Sequence, residues 1–129
     1  VSEIPGDLLY TEDHEYLKPT DDPNVFQVGI TDYAQGELGD IVYVELPSQG
    51  AKYGKHDVFG TIEAVKAVSE LFSPAAGEIV EVNKRLDQEP ALVNTAPYSD
   101  GWMVKMRLAN PRDRSSLLTA DQYRQHIGQ

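Results

Sequence analysis

Lys66 is the residue whose setting most invites covalent chemistry. In Gly60-Thr61-Ile62-Glu63-Ala64-Val65-Lys66-Ala67-Val68-Ser69-Glu70 one lysine stands among small and apolar neighbours, between two runs of strand character. That pattern predicts a β-hairpin over about 58–72 with the lysine at its tip. There an amine is open to a modifying enzyme, and its flexible stem holds an attached group clear of the domain. A lysine pKa near ~10.4 keeps the amine protonated at neutral pH, so acylation requires a dedicated ligase. The same lysine could instead be a charged gatekeeper that stops Ala64, Val65 and Val68 from pairing with another chain.

A second group, Glu12-Asp13-His14-Glu15, could contribute to a metal site with His56 or His126. Its spacing matches no standard ligand set, and acidic residues beside one histidine read as a solvated turn. No metal ligand and no catalytic residue is assigned. Gly36, Gly39, Gly54 and Gly60 lack the Gly-Lys-Ser/Thr run of a phosphate loop and serve turns. The chain has no cysteine, which excludes disulfides, thiolate metal sites and a cysteine nucleophile.

The elements that must position Lys66 are mostly strands. Val25 to Ile30 alternates, with Phe26, Val28 and Ile30 on one face, and the turn-like Thr20-Asp21-Asp22-Pro23-Asn24 predicts a hairpin with His14 to Lys18. Ile41 to Leu46 puts Val42, Val44 and Leu46 on one side. Trp102 to Leu108 sets Trp102, Val104, Met106 and Leu108 against Met103, Lys105 and Arg107. Val58 to Glu63 and Val68 to Phe72 form the lysine hairpin, and Glu78 to Asn83 continues after the break at Ser73-Pro74-Ala75-Ala76-Gly77. Helical signals are few: Thr31 to Leu38 ending at Gly39, and a C-terminal segment over about 119–127 with a Thr119/Gln122 capping box and Gly128 as its stop. Packing of that segment onto the rest is the default. Many short strands with few helices predict a mainly β barrel or sandwich.

With 129 residues, 40% hydrophobic and 25% charged, the composition fits one self-folding domain over 1–129. No apolar run approaches the roughly 20 residues of a membrane span and no basic n-region opens the chain, so a soluble protein is expected. The first residue is Val1 rather than methionine, which leaves room for a removed initiator or transit segment. Of a net charge of −10, residues 1–50 carry 11 acidic side chains against 1 basic, while residues 51–129 carry 10 of each. Such a field repels nucleic acid and anionic membrane and favours partners with basic surfaces; solubility alone also explains it.

Five ordered blocks carry a resemblance. Glu63 through Glu70 around Lys66 resembles the lipoyl-lysine hairpin of the glycine cleavage system H protein family, and Gly50 and Gly77 match the lipoyl-domain pattern. Tyr10-Thr11-Glu12-Asp13-His14-Glu15-Tyr16, Val28 to Gln35, Leu38 to Pro47 and Pro97-Tyr98-Ser99-Asp100-Gly101-Trp102 resemble segments of that family in order and spacing. Tyr16 departs from the tryptophan usual there, and residues 82–96 and 110–129 match more loosely. The resemblance implies a barrel-sandwich hybrid of the lipoyl/biotinyl type with short peripheral helices. A biotin carrier would flank its lysine with methionines, where this chain has Val65 and Ala67.

The resemblance also implies the work of the chain: a non-catalytic carrier with lipoate on Lys66, flanked by Glu63, Val65 and Ala67. The carrier passes an aminomethyl intermediate from a pyridoxal-phosphate glycine decarboxylase to a tetrahydrofolate-dependent aminomethyltransferase, and electrons to dihydrolipoamide dehydrogenase. A lipoate ligase or a lipoyl/octanoyl transferase would load it. The loaded arm would rest in a cleft with Glu15 and Glu70 near its amine, and with Asp13 and Tyr33 where other members can have serine and histidine. The carrier would be a monomer with no nucleic-acid or membrane partner, cytoplasmic in a bacterium or in the mitochondrial matrix of a eukaryote. An H-like protein of lipoyl relay or another lipoyl-dependent pathway is the alternative.

Overall fold

The computed structural model describes residues 2–129. Among these residues nine strands form two antiparallel sheets. The larger sheet joins β1 (Leu9–Tyr10), β2 (Glu15–Pro19), β3 (Val25–Ile30), β9 (Val104–Leu108), β8 (Gly77–Val82) and β5 (Lys52–Tyr53) in that spatial order. The smaller sheet joins β4 (Ile41–Glu45), β6 (Val58–Ala64) and β7 (Val68–Phe72). Helices are short and peripheral: α1 (Asp32–Leu38), α2 (Leu92–Thr95) and the C-terminal α3 (Ala120–Ile127), with 3-10 turns at Lys84–Asp87 and Pro111–Ser116. The mainly β expectation holds in two sheets with helices at the margins.

The main core fills the space between the sheets, with Phe26, Val28, Ile30, Ile79 and Met106 from the larger and Val44, Ile62 and Leu71 from the smaller. β2 is buried on both faces. Leu17 enters the main core, while Tyr16 joins a second cluster with Ile4, Leu8, Tyr10, Ala120 and Tyr123 under α3. The C-terminal helix therefore packs onto the sheet, Tyr123 stacking on Tyr10 with ring centroids 4.8 Å apart. Its capping box forms as expected between Thr119 and Gln122, and Gly128 ends it in the left-handed conformation.

Two sequence expectations are corrected. In β4 the core takes Ile41 and Val44, while Val42 is 52% exposed, because a bulge between Ile41 and Tyr43 adds one residue and reverses the alternation before it. The last strand begins at Val104 rather than Trp102, so the loop residue Met103 is free to turn into the core and Trp102 is only half-buried. The strand expected over Glu78 to Asn83 is β8. The Ser73–Ala76 break carries the chain across to the larger sheet, where β8 pairs with β9 and β5.

Tyr16 lies opposite Gly29 in the β2–β3 register, and its hydroxyl donates to the carbonyl of Pro97. The ring covers the glycine so closely that an added Cβ would stand 2.8 Å from it. Gly29→Ala should therefore overpack the cluster and cost about 1–3 kcal/mol in urea unfolding; an unchanged midpoint would mean that Tyr16 is free to move aside.

Candidate functional site

The β6–β7 hairpin raises Lys66 at the free end of the smaller sheet. Glu63 pairs with Val68, and the amide of Ala64 donates to the carbonyl of Ala67 at 2.8 Å, leaving Val65 and Lys66 as the tip. Both are exposed, Val65 at 75%. Glu63 lies exposed opposite Tyr43 and Val68, and Ala67 is half-buried. The ion pairs among the described residues leave Lys66 out.

Although exposed, the tip is tied to the body. The amide of Val65 donates to the carbonyl of Asp40 at 3.0 Å, and the lysine stem runs over Gly39, the residue that ends α1. Gly39 has φ +85, and a Cβ there would lie 3.1 Å from Lys66 Cε. The positive φ favours glycine there, and the exposed stem would have to shift slightly to admit a side chain.

Beside α1 and β7 opens a cleft of about 230 Å³ lined by Asp13, His14, Glu15, Tyr33, Glu37 and Glu70 over an apolar floor of Ile30, Ile62 and Leu71. All four cleft residues named from the sequence meet here. Their environments differ. Glu70 is exposed at the rim, whereas Asp13 also reaches sideways to His56 Nδ1 at 3.3 Å. Tyr33 sits beside Glu37, whose carboxylate pushes the phenol pKa up.

Glu15 is no solvated carboxylate: it is 2% exposed. Its Oε2 accepts from the amide of Phe72 at 2.7 Å, so a side chain of the larger sheet is bonded to the backbone of the smaller one. Thr11 lies 3.4 Å from the other oxygen. Burial pushes the Glu15 pKa up to about 8, against the Phe72 hydrogen bond, which lowers it. The group is therefore poised to hold a proton at neutral pH and to give it up beside a cation.

His14 lies in the expected turn, with φ 69, but it is half-buried rather than solvated. Its Nδ1 is 2.9 Å from the Tyr123 hydroxyl, which is 2.8 Å from the Thr31 hydroxyl, which in turn accepts from the Ala34 amide. One proton arrangement satisfies this chain: Thr31 donates to Tyr123, and Tyr123 donates to a neutral imidazole. Burial, then His126, lowers the His14 pKa in the same sense. With His14 neutral and four carboxyl groups on its walls, the cleft favours a cationic guest. Among the described residues no group of three or more His, Asp or Glu side chains is placed to hold a metal ion.

Sequence reasoning missed Gly39, Glu37 and the Tyr123–His14 contact. The glycine was visible only as a helix stop, and nothing in the order of residues joins position 123 to position 14.

The site's architecture belongs to a class of small β-domains that present one lysine on a hairpin tip beside a sheltering groove. The sequence profile of the glycine cleavage H-protein family matches residues 8–129. The glycine cleavage system H protein of Pelodictyon phaeoclathratiforme is 54% identical over 126 residues, covering 98% of each chain. That of Chlorobaculum tepidum is 55% identical, again over 98% of each. The crystal structure of a glycine cleavage system H protein from Mycobacterium marinum superposes with a TM-score of 0.84 at 37% identity, covering 98% of this chain and 100% of that one. This chain belongs to the glycine cleavage H-protein family.

The buried carboxyl makes stability depend on pH in a defined direction. A folded-state pKa of about 8 lies above the unfolded value near ~4.3, so the contribution of Glu15 is full below that lower value and is lost as pH rises through the higher one. Glu15→Gln keeps an acceptor for Phe72 but cannot ionise. The melting temperature of the variant minus that of the wild type should rise between about pH 5 and pH 8.5. The opposite contribution of His14 is common to both proteins and cancels. A flat difference would show that Glu15 titrates as an ordinary carboxylate.

Proposed function

We propose that residues 1–129 act as one lipoyl-carrier domain in which Lys66 is the attachment point. The chain is a carrier of the glycine cleavage system and not an enzyme, as its family membership establishes. The observation that carries the assignment of Lys66 is its place: an exposed amine on a tip whose backbone is held by Asp40. Lipoate fits this site. The amine is free to form an amide, the stem already lies across the end of α1, and the acidic cleft stands alongside α1. When attached, the group supplies a disulfide/dithiol pair that accepts an aminomethyl unit and two electrons.

The chain's own residues do the rest. Glu63, Val65 and Ala67 form the surface that a lipoate ligase or a lipoyl/octanoyl transferase meets around the amine. Glu15 and Glu70 would hold the ammonium of a loaded arm, Glu15 from a buried position where its charge is little screened. Asp13 and Tyr33 close the same cleft. The glycine decarboxylase, the aminomethyltransferase and dihydrolipoamide dehydrogenase would each be served by a monomer, in the cytoplasm of a bacterium or the matrix of a mitochondrion. Tethering raises the effective concentration of the carried group at each docked active site. Among the described residues no helix is long and apolar enough to cross a membrane.

Incubation with lipoate, ATP and a lipoate ligase should add one lipoyl increment to the intact mass, and Lys66→Arg should abolish it. The variant should keep its fold, since an exposed substitution changes stability by less than about 0.5 kcal/mol. Modification elsewhere would refute the assignment of Lys66. Failure of the lipoylated protein to support glycine–bicarbonate exchange with a glycine decarboxylase would instead favour the lipoyl-relay alternative.

A further inference from the structure

We infer that Asn94 is a positioning residue for Lys66, acting through the loop 39–41. Asn94 stands on the short helix α2, outside both sheets, and its side-chain amide uses both donors and its acceptor oxygen. Nδ2 donates to the carbonyl of Gly39 at 2.9 Å and to Gln35 Oε1 at 2.8 Å, while Oδ1 accepts from the amide of Ile41 at 2.9 Å. The orientation is forced, because a backbone carbonyl can only accept and a backbone N–H can only donate. Asn94 thus grips two successive peptide groups, those on either side of Asp40.

The second of these groups carries the effect onward. The Ile41 N–H held by Asn94 and the Asp40 carbonyl are opposite ends of one peptide unit, and that carbonyl accepts from Val65 at 3.0 Å. A hydrogen-bonded chain therefore runs from the Asn94 amide through a single peptide plane to the residue before the lysine. Such bonds polarise one another in series. The first gripped group belongs to Gly39, over which the Lys66 stem lies. One side chain thereby fixes both the backbone that carries the lysine and the surface beneath its stem. The stem crosses the end of α1, whose residues Tyr33, Glu37 and Leu38 wall the acidic cleft. Asn94 thus holds the backbone at the base of the lysine in an arrangement that an acylating enzyme can meet without first ordering the tip.

This role rests on Lys66 being the acylated residue, and the test separates the two claims. In the full chain, Asn94→Ala should speed hydrogen exchange at the Val65 amide about tenfold relative to the core amide of Met103. It should also raise the KM for lipoate ligase by a similar factor with kcat little changed, because chemistry at the bound amine is unaltered. Asn94→Asp retains the acceptor for Ile41 and loses the donors, so it should fall between; it also serves as the readout if Asn94→Ala does not fold. Gly29→Ala, which strains the β2–β3 pair away from α2 and the loop, should leave both the exchange ratio and KM at wild-type values. Exchange at Val65 that changes only in step with Met103, an unaltered KM, or the same changes in Gly29→Ala would overturn the positioning role. Lack of acylation of wild-type Lys66 would overturn the lipoyl assignment while leaving the exchange result to stand by itself.

Discussion

A carboxyl group can be buried at the seam between two sheets only where hydrogen bonds replace its lost water, and Glu15 is placed under that constraint. Its bond to the Phe72 amide ties the first long strand of the larger sheet to the end of the lysine hairpin in the smaller one. The left-handed turn at His14 brings the carboxyl to this place, and Thr11 flanks it on the other side. The cleft is a consequence of the same arrangement: its base is a hydrogen-bonded acid, its floor is the edge of the core, and its walls come from α1 and β7.

The hairpin solves a different problem. A carrier lysine must be open to solvent, yet a loose tip would present it in many orientations and lose entropy at every encounter. Here the tip is exposed and its backbone is not free, since Val65 is bonded to Asp40 and the 39–41 loop is gripped by Asn94. Order is confined to the backbone, and freedom is left to the long side chain.

Much of this was legible in the sequence wherever a local rule governs. Thr31 and Gly39 bound α1, Thr119 and Gln122 form a capping box, and Phe26, Val28 and Ile30 alternate into the core as the two-residue period demands. The rule failed where one residue was added or a strand began late: the bulge at Val42 and the loop residue Met103 reverse faces without a change of composition. The lysine tip was legible from its small neighbours. The burial of Glu15 was not, because the partner that makes it tolerable is the backbone of residue 72. Asn94 was hidden for the same reason, since its three bonds reach to residues 35, 39 and 41.

The tie between Val65 and Asp40 also sets a clock. With the backbone of the tip anchored, Lys66 can swing relative to the domain only through its own side-chain torsions, which hop between staggered wells in picoseconds to nanoseconds. An arm carried on Lys66 would then leave the proposed cleft with no hinge and no unzipping of strands. On the proposed role of Glu15 and Glu70, the dwell time of a carried group would follow the depth of their electrostatic well, and a docking enzyme would shorten it by competing for the ammonium rather than by deforming the carrier.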